Sequence, residues 1–196
     1  MLKQTDDLSW YARKAASLAD PGGAADPESA RRIEELLKEL RKAGIRGDAG
    51  SMTLYTRKLP PGCRTCLRGL GTNLYVTGLC TRDCFFCFNS RPRTDEIVVH
   101  GLRVREPAEA VEIIRRFGLR SIGLSGGEPL LFPERVLALL RVLRSSALPL
   151  RIDLYTNGDR ATPELLRELK AAGLDAIRFN AAAREFDLAP VAAARE

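Results

Sequence analysis

Residues 72–196 predict an α/β fold built on a parallel sheet, and three observations carry that prediction. Short apolar stretches of strand length alternate with amphipathic stretches of helix length. The helical stretches open on proline and close on glycine or a turn. Strands and helices alternate to the last strand at the pace of βαβ units, after a longer first connection that carries the cysteines and a short extended pair. Right-handed crossovers bring the C-terminal end of every such strand to one edge, where ligand chemistry gathers.

The elements follow in order. Residues 6–19 (DDLSWYARKAASLA) place Leu8, Tyr11, Ala12, Ala15 and Leu18 on one helical face, with Trp10 as an anchor, and Pro21-Gly22-Gly23 ends the helix. A second helix starts with Asp26 as N-cap, Pro27 at its first position and Glu28 in its first turn; Ile33, Leu36, Leu37 and Leu40 share a face, and Gly44 suits the position after its end. The segment from Gly47 to Gly71 is rich in glycine and proline and reads mostly as loop. Strands are expected over NLYVTGL (73–79), SIGLS (121–125), LRIDLYTN (150–157) and DAIRFN (175–180), with a shorter extended pair over DEIVVHGLRV (95–104). Helices are expected over 107–117, closed by Gly118, over 133–146, and over 162–172 with Thr162 as N-cap and Gly173 as stop. The domain reading is therefore 1–71, a helical extension and connector carrying Cys63-x2-Cys66, and 72–196, the α/β core.

The 196 residues suffice for one domain with an extension. No apolar run reaches bilayer length, and the N-terminus is acidic and lacks an apolar signal core, so no membrane partner and a cytoplasmic location are expected. Five cysteines in a reducing compartment argue for metal or catalysis rather than disulfides. The net charge is +6. Arg57, Lys58, Arg64, Arg68, Arg82, Arg91 and Arg93 fall in the cysteine-bearing third. A solvated surface is the plainer account of them; a partner with phosphates or carboxylates, nucleic acid included, is left open.

Two groupings of the cysteines compete. Cys63-x2-Cys66 and Cys84-x2-Cys87 have the spacing of a structural zinc site, which leaves Cys80 idle and folds the ligand segment back across a buried strand. Cys80, Cys84 and Cys87 instead put three thiolates on one loop, which suits an iron–sulfur cubane with one iron left open.

Cys80-x3-Cys84-x2-Cys87, with Phe86 just before the last cysteine, resembles the signature loop of the radical S-adenosylmethionine (radical SAM) superfamily. SGGEP (125–129), at the end of the next core strand, is similar to that family's glycine-glycine-glutamate motif. The resemblance covers roughly residues 72–190 and implies a partial (β/α) barrel. It implies a [4Fe-4S] cluster held by Cys80, Cys84 and Cys87, with S-adenosylmethionine chelating the fourth iron. Phe86 would pack near the adenine. The backbone around Gly126, Gly127 and Glu128 would receive the methionine ammonium. Thr156 and Asn157, and Arg178 and Asn180, are candidates for the ribose or carboxylate. The implied chemistry is reductive cleavage of S-adenosylmethionine to a 5′-deoxyadenosyl radical that abstracts hydrogen from an unknown substrate. The electron would come from a low-potential donor such as a ferredoxin or flavodoxin.

The family barrel has six βα units, whereas four core strands are counted here. The expectation is a barrel cut short after about four units, with a two-helix N-terminal extension and a second chain or missing sequence to cover the open edge. Cys63 and Cys66 are candidates for an auxiliary metal completed from elsewhere. His100 reads as a turn residue, and Asp95 and Glu96 as a solvated strand start. Competing functions are an iron–sulfur electron-transfer or regulatory protein without radical chemistry, and a zinc-stabilised module using Cys63, Cys66, Cys84 and Cys87. A glycyl-radical activase, a peptide or RNA modifier and a cofactor-biosynthesis enzyme are all open.

Overall fold

The structure, a computed structural model, describes residues 27–48, 53–89 and 91–194. The chain divides into two compact units, Met1–Lys58 and Leu59–Glu196. The helix expected over 6–19, with Trp10, lies outside the described residues.

In the first unit, α1 (Pro27–Lys42) is followed by β1 (Arg46–Asp48) and β2 (Thr53–Tyr55), which pair antiparallel with Arg46 opposite Tyr55. Gly44 ends α1 in the left-handed region at φ +82°. Its N–H donates to the Arg41 carbonyl, and the Ile45 N–H donates to the Leu40 carbonyl, both at 3.0 Å. These are the two bonds of a Schellman cap, so the glycine does the work expected of it. The hairpin β1–β2 lies in a stretch read as loop.

The second unit begins with α2 (Pro61–Cys66), also within that expected loop. Proline at the first helical position was its start signal. A six-stranded sheet follows in the order β5-β4-β3-β6-β7-β8: β3 (Gly71–Thr77), β4 (Ile97–Val99), β5 (Leu102–Val104), β6 (Ser121–Gly126), β7 (Arg151–Thr156) and β8 (Ala176–Phe179). β3, β6, β7 and β8 run parallel in sequence order. β4 and β5 form an antiparallel hairpin against the outer edge of β3, turning at His100 and Gly101 with φ of 52° and 79°. Two successive positive φ values make the tight turn that matches strand twist, so His100 is the expected turn residue. The crossovers carry α3 (Pro107–Arg116), α4 (Pro133–Ser145) and α5 (Pro163–Ala171), and α6 (Ala189–Ala193) closes the described chain.

The sheet has two unlike faces. Leu74 and Val76, Ile122 and Leu124, and Ile152 and Leu154 alternate onto one face and are fully buried there. They form one core with Ile114 of α3, Leu139, Leu140 and Leu143 of α4, and Leu169 of α5. Removing a Leu or Ile side chain from water contributes about 1.5–3 kcal/mol, so this face holds the fold together. The register puts polar residues on the other face: Asn73 beside Gly123 beside Asp153, Tyr75 beside Ser125, and Tyr155 beside Arg178. α2 lies on this second face. A Cβ at Gly62 would stand 3.0 Å from Asp153 Oδ2 and 3.3 Å from Ser121 Oγ, and one at Gly71 would stand 3.0 Å from the Cys66 Cα.

Candidate functional site at the C-terminal strand edge

The three-cysteine loop leaves the C-terminal end of β3, and the glycine-glycine-glutamate stretch leaves the end of the adjacent parallel β6. The two are joined by main chain. Gly127 N–H donates to the Thr77 carbonyl and Glu128 N–H to the Leu79 carbonyl, each at 2.8 Å, while Asn89 Nδ2 donates to the Gly126 carbonyl at 2.6 Å. A Cβ at Gly126 would overlap the Thr77 carbonyl oxygen, and one at Gly127 the Leu79 carbonyl oxygen. Gly126 also sits at φ +117°. Glycine is required at both positions by the approach of this loop.

Glu128 turns its side chain inward. Its carboxylate is fully buried. Oε1 accepts from Thr156 Oγ1 at 2.6 Å and Leu130 N–H at 3.0 Å, and Oε2 accepts from Asn157 N–H at 2.7 Å. Burial pushes this carboxyl above the ordinary glutamate range, against the pull of those hydrogen bonds. The side chain ties the end of β6 to the end of β7 and turns away from any cation at the edge.

Asp159, which the sequence reading passed over, gathers three segments at this edge. Its carboxylate accepts from Thr81 Oγ1, Arg82 Nε and Arg82 Nη2, each at 2.8 Å, and from Arg184 Nη1 at 2.6 Å. The Arg82 hydrogen bonds hold its pKa down at about 2, against burial and with help from Thr81 and Arg184. Asn157 sits beside it. Its Oδ1 accepts from Asp159 N–H at 2.9 Å, and its Nδ2 donates to Thr81 Oγ1 at 2.8 Å and lies 4.0 Å from Cys80 Sγ. No pattern in the sequence links residues 81 and 159; only the topology does.

The remaining predicted residues are placed as follows. Phe86 is half-exposed and meets Phe85 edge to face at 5.2 Å, while Phe85 and Phe88 are fully exposed. Arg178 donates to Asp153 Oδ2 through Nε at 3.2 Å and Nη2 at 2.8 Å, on the polar face. Asn180 Oδ1 accepts from Ala183 N–H at 3.3 Å, capping the turn after β8. The Ser125 Oγ is buried on the polar face without a hydrogen-bond partner among the described residues. Asp95 is not simply solvated. It accepts from Thr77 Oγ1 at 2.8 Å and pairs with Arg135 at 2.6 and 3.1 Å, and Arg135 also donates to the Val76 carbonyl.

All five cysteines are free thiols. Among the described residues no three His, Cys, Asp or Glu side chains are drawn into one coordination sphere. The donor set nevertheless suits an iron–sulfur cluster: three soft sulfur ligands on one loop, with room left on one iron. It does not suit the zinc grouping. Cys66 packs on Gly71 at the start of β3, whereas Cys84 and Cys87 follow its end. A seven-residue strand, roughly 20 Å long, separates the two pairs.

No helix among the described residues is long and apolar enough to cross a membrane. Three curated proteins are similar to part of the chain. The chain is 32% identical over 125 residues to a Methanocaldococcus jannaschii protein named as a candidate glycyl-radical enzyme activating enzyme, covering 63% of this chain and 33% of that one. It is 36% identical over 136 residues to the GTP 3′,8-cyclase of a Synechococcus species, covering 64% and 38%. It is 33% identical over 118 residues to a Thermoplasma volcanium protein named as a candidate GTP 3′,8-cyclase, covering 60% and 34%. The chain thus spans about a third of the length of these relatives. The model of the radical SAM superfamily matches residues 74–188, from β3 to the segment beyond β8. With the three-cysteine loop and the glycine pair locked together at one strand edge, that match establishes that the chain belongs to the radical SAM superfamily.

Proposed function

We propose that this chain carries the radical-generating site of a radical SAM enzyme, with Cys80, Cys84 and Cys87 as ligands of a [4Fe-4S] cluster. The observation that carries the reading is the docking of the three-cysteine loop onto Gly126–Glu128 by backbone hydrogen bonds between adjacent parallel strands. A cluster held there would supply one-electron reduction of S-adenosylmethionine, with the electron from a low-potential donor such as a ferredoxin or flavodoxin, so that the sulfonium S–C5′ bond would break to methionine and the 5′-deoxyadenosyl radical.

The chain's own residues bind and orient. Gly126 and Gly127 let the loop close onto β6. Phe86 supplies aromatic surface for the adenine. Tyr75, Ser125, Tyr155 and Arg178 form the polar face toward which the cofactor and substrate are directed. The unpartnered Ser125 hydroxyl and the half-exposed tyrosines on that face support this assignment. Asn180 spends only its Oδ1 on the cap, so its amide nitrogen is the stronger candidate donor for a cofactor carboxylate, while Arg178 already gives two nitrogens to Asp153. The relatives are named for two different reactions, activation of a glycyl-radical enzyme and cyclisation of GTP, so the reaction assigned here stops at hydrogen abstraction.

Anaerobic reconstitution tests the reading. The chain is expected to take up about four irons per molecule, to lose them in Cys80→Ala, Cys84→Ala or Cys87→Ala, and to keep them in Cys63→Ala and Cys66→Ala. Reduction in the presence of S-adenosylmethionine should release 5′-deoxyadenosine. Iron uptake without that release would favour an electron carrier. Purification with zinc that Cys63→Ala sheds would overturn the cluster assignment.

A further inference from the structure

Cys80 differs from the other two loop cysteines in its surroundings. Among the described residues, its sulfur alone of the three faces N–H groups. The Arg82 main-chain N–H lies 3.5 Å from Cys80 Sγ, and Asn157 Nδ2 lies 4.0 Å from it. Asn157 is only 5% exposed, and its amide is completely spoken for. The oxygen must face the Asp159 N–H, which can only donate, so Nδ2 faces the loop. One Nδ2 proton goes to Thr81 Oγ1, whose own proton goes to Asp159 Oδ2. The other lies within reach of Cys80, whose sulfur is 4.0 Å from Nδ2. Every bond in this relay has a single consistent direction. Arg82 is held by the same Asp159 through two nitrogens, which fixes the main chain that presents the second donor. Arg184 donates to Asp159 Oδ1, the oxygen that also accepts from Arg82 Nη2, and anchors the assembly to the turn after β8.

This arrangement exceeds what an ordinary surface ion pair requires. The Asp159 side chain is 18% exposed, and its donors come from two separate segments, the cysteine loop and the turn after β8. An amide used in this way turns its nitrogen toward the cysteine loop.

We propose that Asn157 and Asp159 are positioning residues for Cys80: they lock Thr81 and Arg82 to the end of β7 and hold two N–H donors at the Cys80 sulfur. The inference rests on the cluster reading for the second half of its consequence. Donors at a ligating thiolate favour the reduced cluster, because they offset the added negative charge. Cys80 would be the ligand set in advance, with Cys84 and Cys87 on the more open part of the loop.

The test uses the full chain and has two independent arms. In the cluster-free protein, hydrogen exchange at the amides of residues 79–83 should quicken at least tenfold in Asp159→Asn and in Thr81→Val, with β6 and β7 unchanged. In the anaerobically reconstituted protein, an electron paramagnetic resonance redox titration should show Asn157→Leu reducing less readily. The expected loss is several-fold to tenfold in the equilibrium constant, tenfold being 59 mV for one electron. Thr81→Val, which breaks the relay while keeping side-chain shape, should move the potential the same way by less, and it serves if Asn157→Leu fails to fold. Unchanged exchange in both variants overturns the clamp. An unchanged midpoint in Asn157→Leu and Thr81→Val, at full iron content, overturns the donor role. A wild-type chain that takes no iron overturns the cluster reading, while the exchange arm still decides the clamp.

Discussion

At the scale of single residues, two carboxylates do opposite things. Glu128 is buried without a cation, satisfied only by neutral donors from Thr156, Asn157 and Leu130. Removing it strands three buried donors, so Glu128→Ala should cost about 3 kcal/mol in urea unfolding, and Glu128→Gln less. Because burial raises its pKa, the sign of its pH dependence follows: the contribution is full below the unfolded value of 4.5 and is lost as pH rises through the folded value. Asp159 behaves in reverse. Its pKa falls from 3.8 to about 2, so its contribution is present above 3.8 and is lost as pH drops through about 2. With water reaching the Arg82 head, that contribution is about 1–2 kcal/mol. The stability gap between wild type and Asp159→Asn should therefore be open at pH 7 and narrow below pH 3; a gap constant across that range would show that charge is not what Asp159 supplies. Neither role was legible beforehand. The glycine-glycine-glutamate run announces itself as a motif, but nothing local says that its carboxylate turns inward. Asp159 acts on residues 77 and 78 positions away in the chain.

At the scale of elements, legibility followed local chemistry. Thr162 was readable as the α5 cap because capping is a contact across three residues, and its hydroxyl accepts from the Leu165 N–H at 3.2 Å. Gly44 and Gly118 were readable as helix ends for the same reason. The hairpin β1–β2 and helix α2 were missed because glycine and proline signal a break in structure more strongly than a short element within it. Arg144 shows the limit from another side. It looks like an ordinary basic residue in the last turn of α4. Yet its Nε donates to the Gly173 carbonyl at 2.9 Å, its Nη1 to the Leu150 carbonyl at 2.7 Å, and its Nη2 to Asp175 Oδ2 at 2.6 Å. Asp175 in turn accepts from the Ile152 N–H at 2.7 Å. This one side chain pins the starts of β7 and β8 to the end of α4. Arg144→Ala should cost about 2 kcal/mol in urea unfolding, with Arg144→Lys recovering only part of it because a point charge cannot serve three acceptors at once. Equal stability of the alanine variant and wild type would remove the pin.

At the scale of the whole second unit, the division of labour between the two sheet faces is the main structural result. It was partly written in the strands themselves: SIGLSG and RIDLYT alternate apolar with small or polar residues, as a sheet covered by helices on one side requires. Which face carries chemistry was legible only through the motifs at the strand ends. The two faces should answer mutation differently. Leu124 is fully buried in the helix-covered core, so Leu124→Ala should cost about 2–5 kcal/mol in urea unfolding. Any effect of that change on S-adenosylmethionine binding should follow the loss of folded protein. Tyr155 is 41% exposed on the polar face and packs beside Arg178, 5.7 Å from its guanidinium carbon. Tyr155→Ala should cost little stability, about 1 kcal/mol, because the ring is still partly in water. Its effect should fall on function: weaker S-adenosylmethionine binding by calorimetry, or slower release of 5′-deoxyadenosine, at equal iron content and equal folded fraction. Ser125→Ala should act in the same direction, since its unpartnered hydroxyl has no structural bond to lose. If Tyr155→Ala and Ser125→Ala both left cofactor binding and cleavage untouched, the polar face would be mere surface, and the site would have to be confined to the loop above the strand ends.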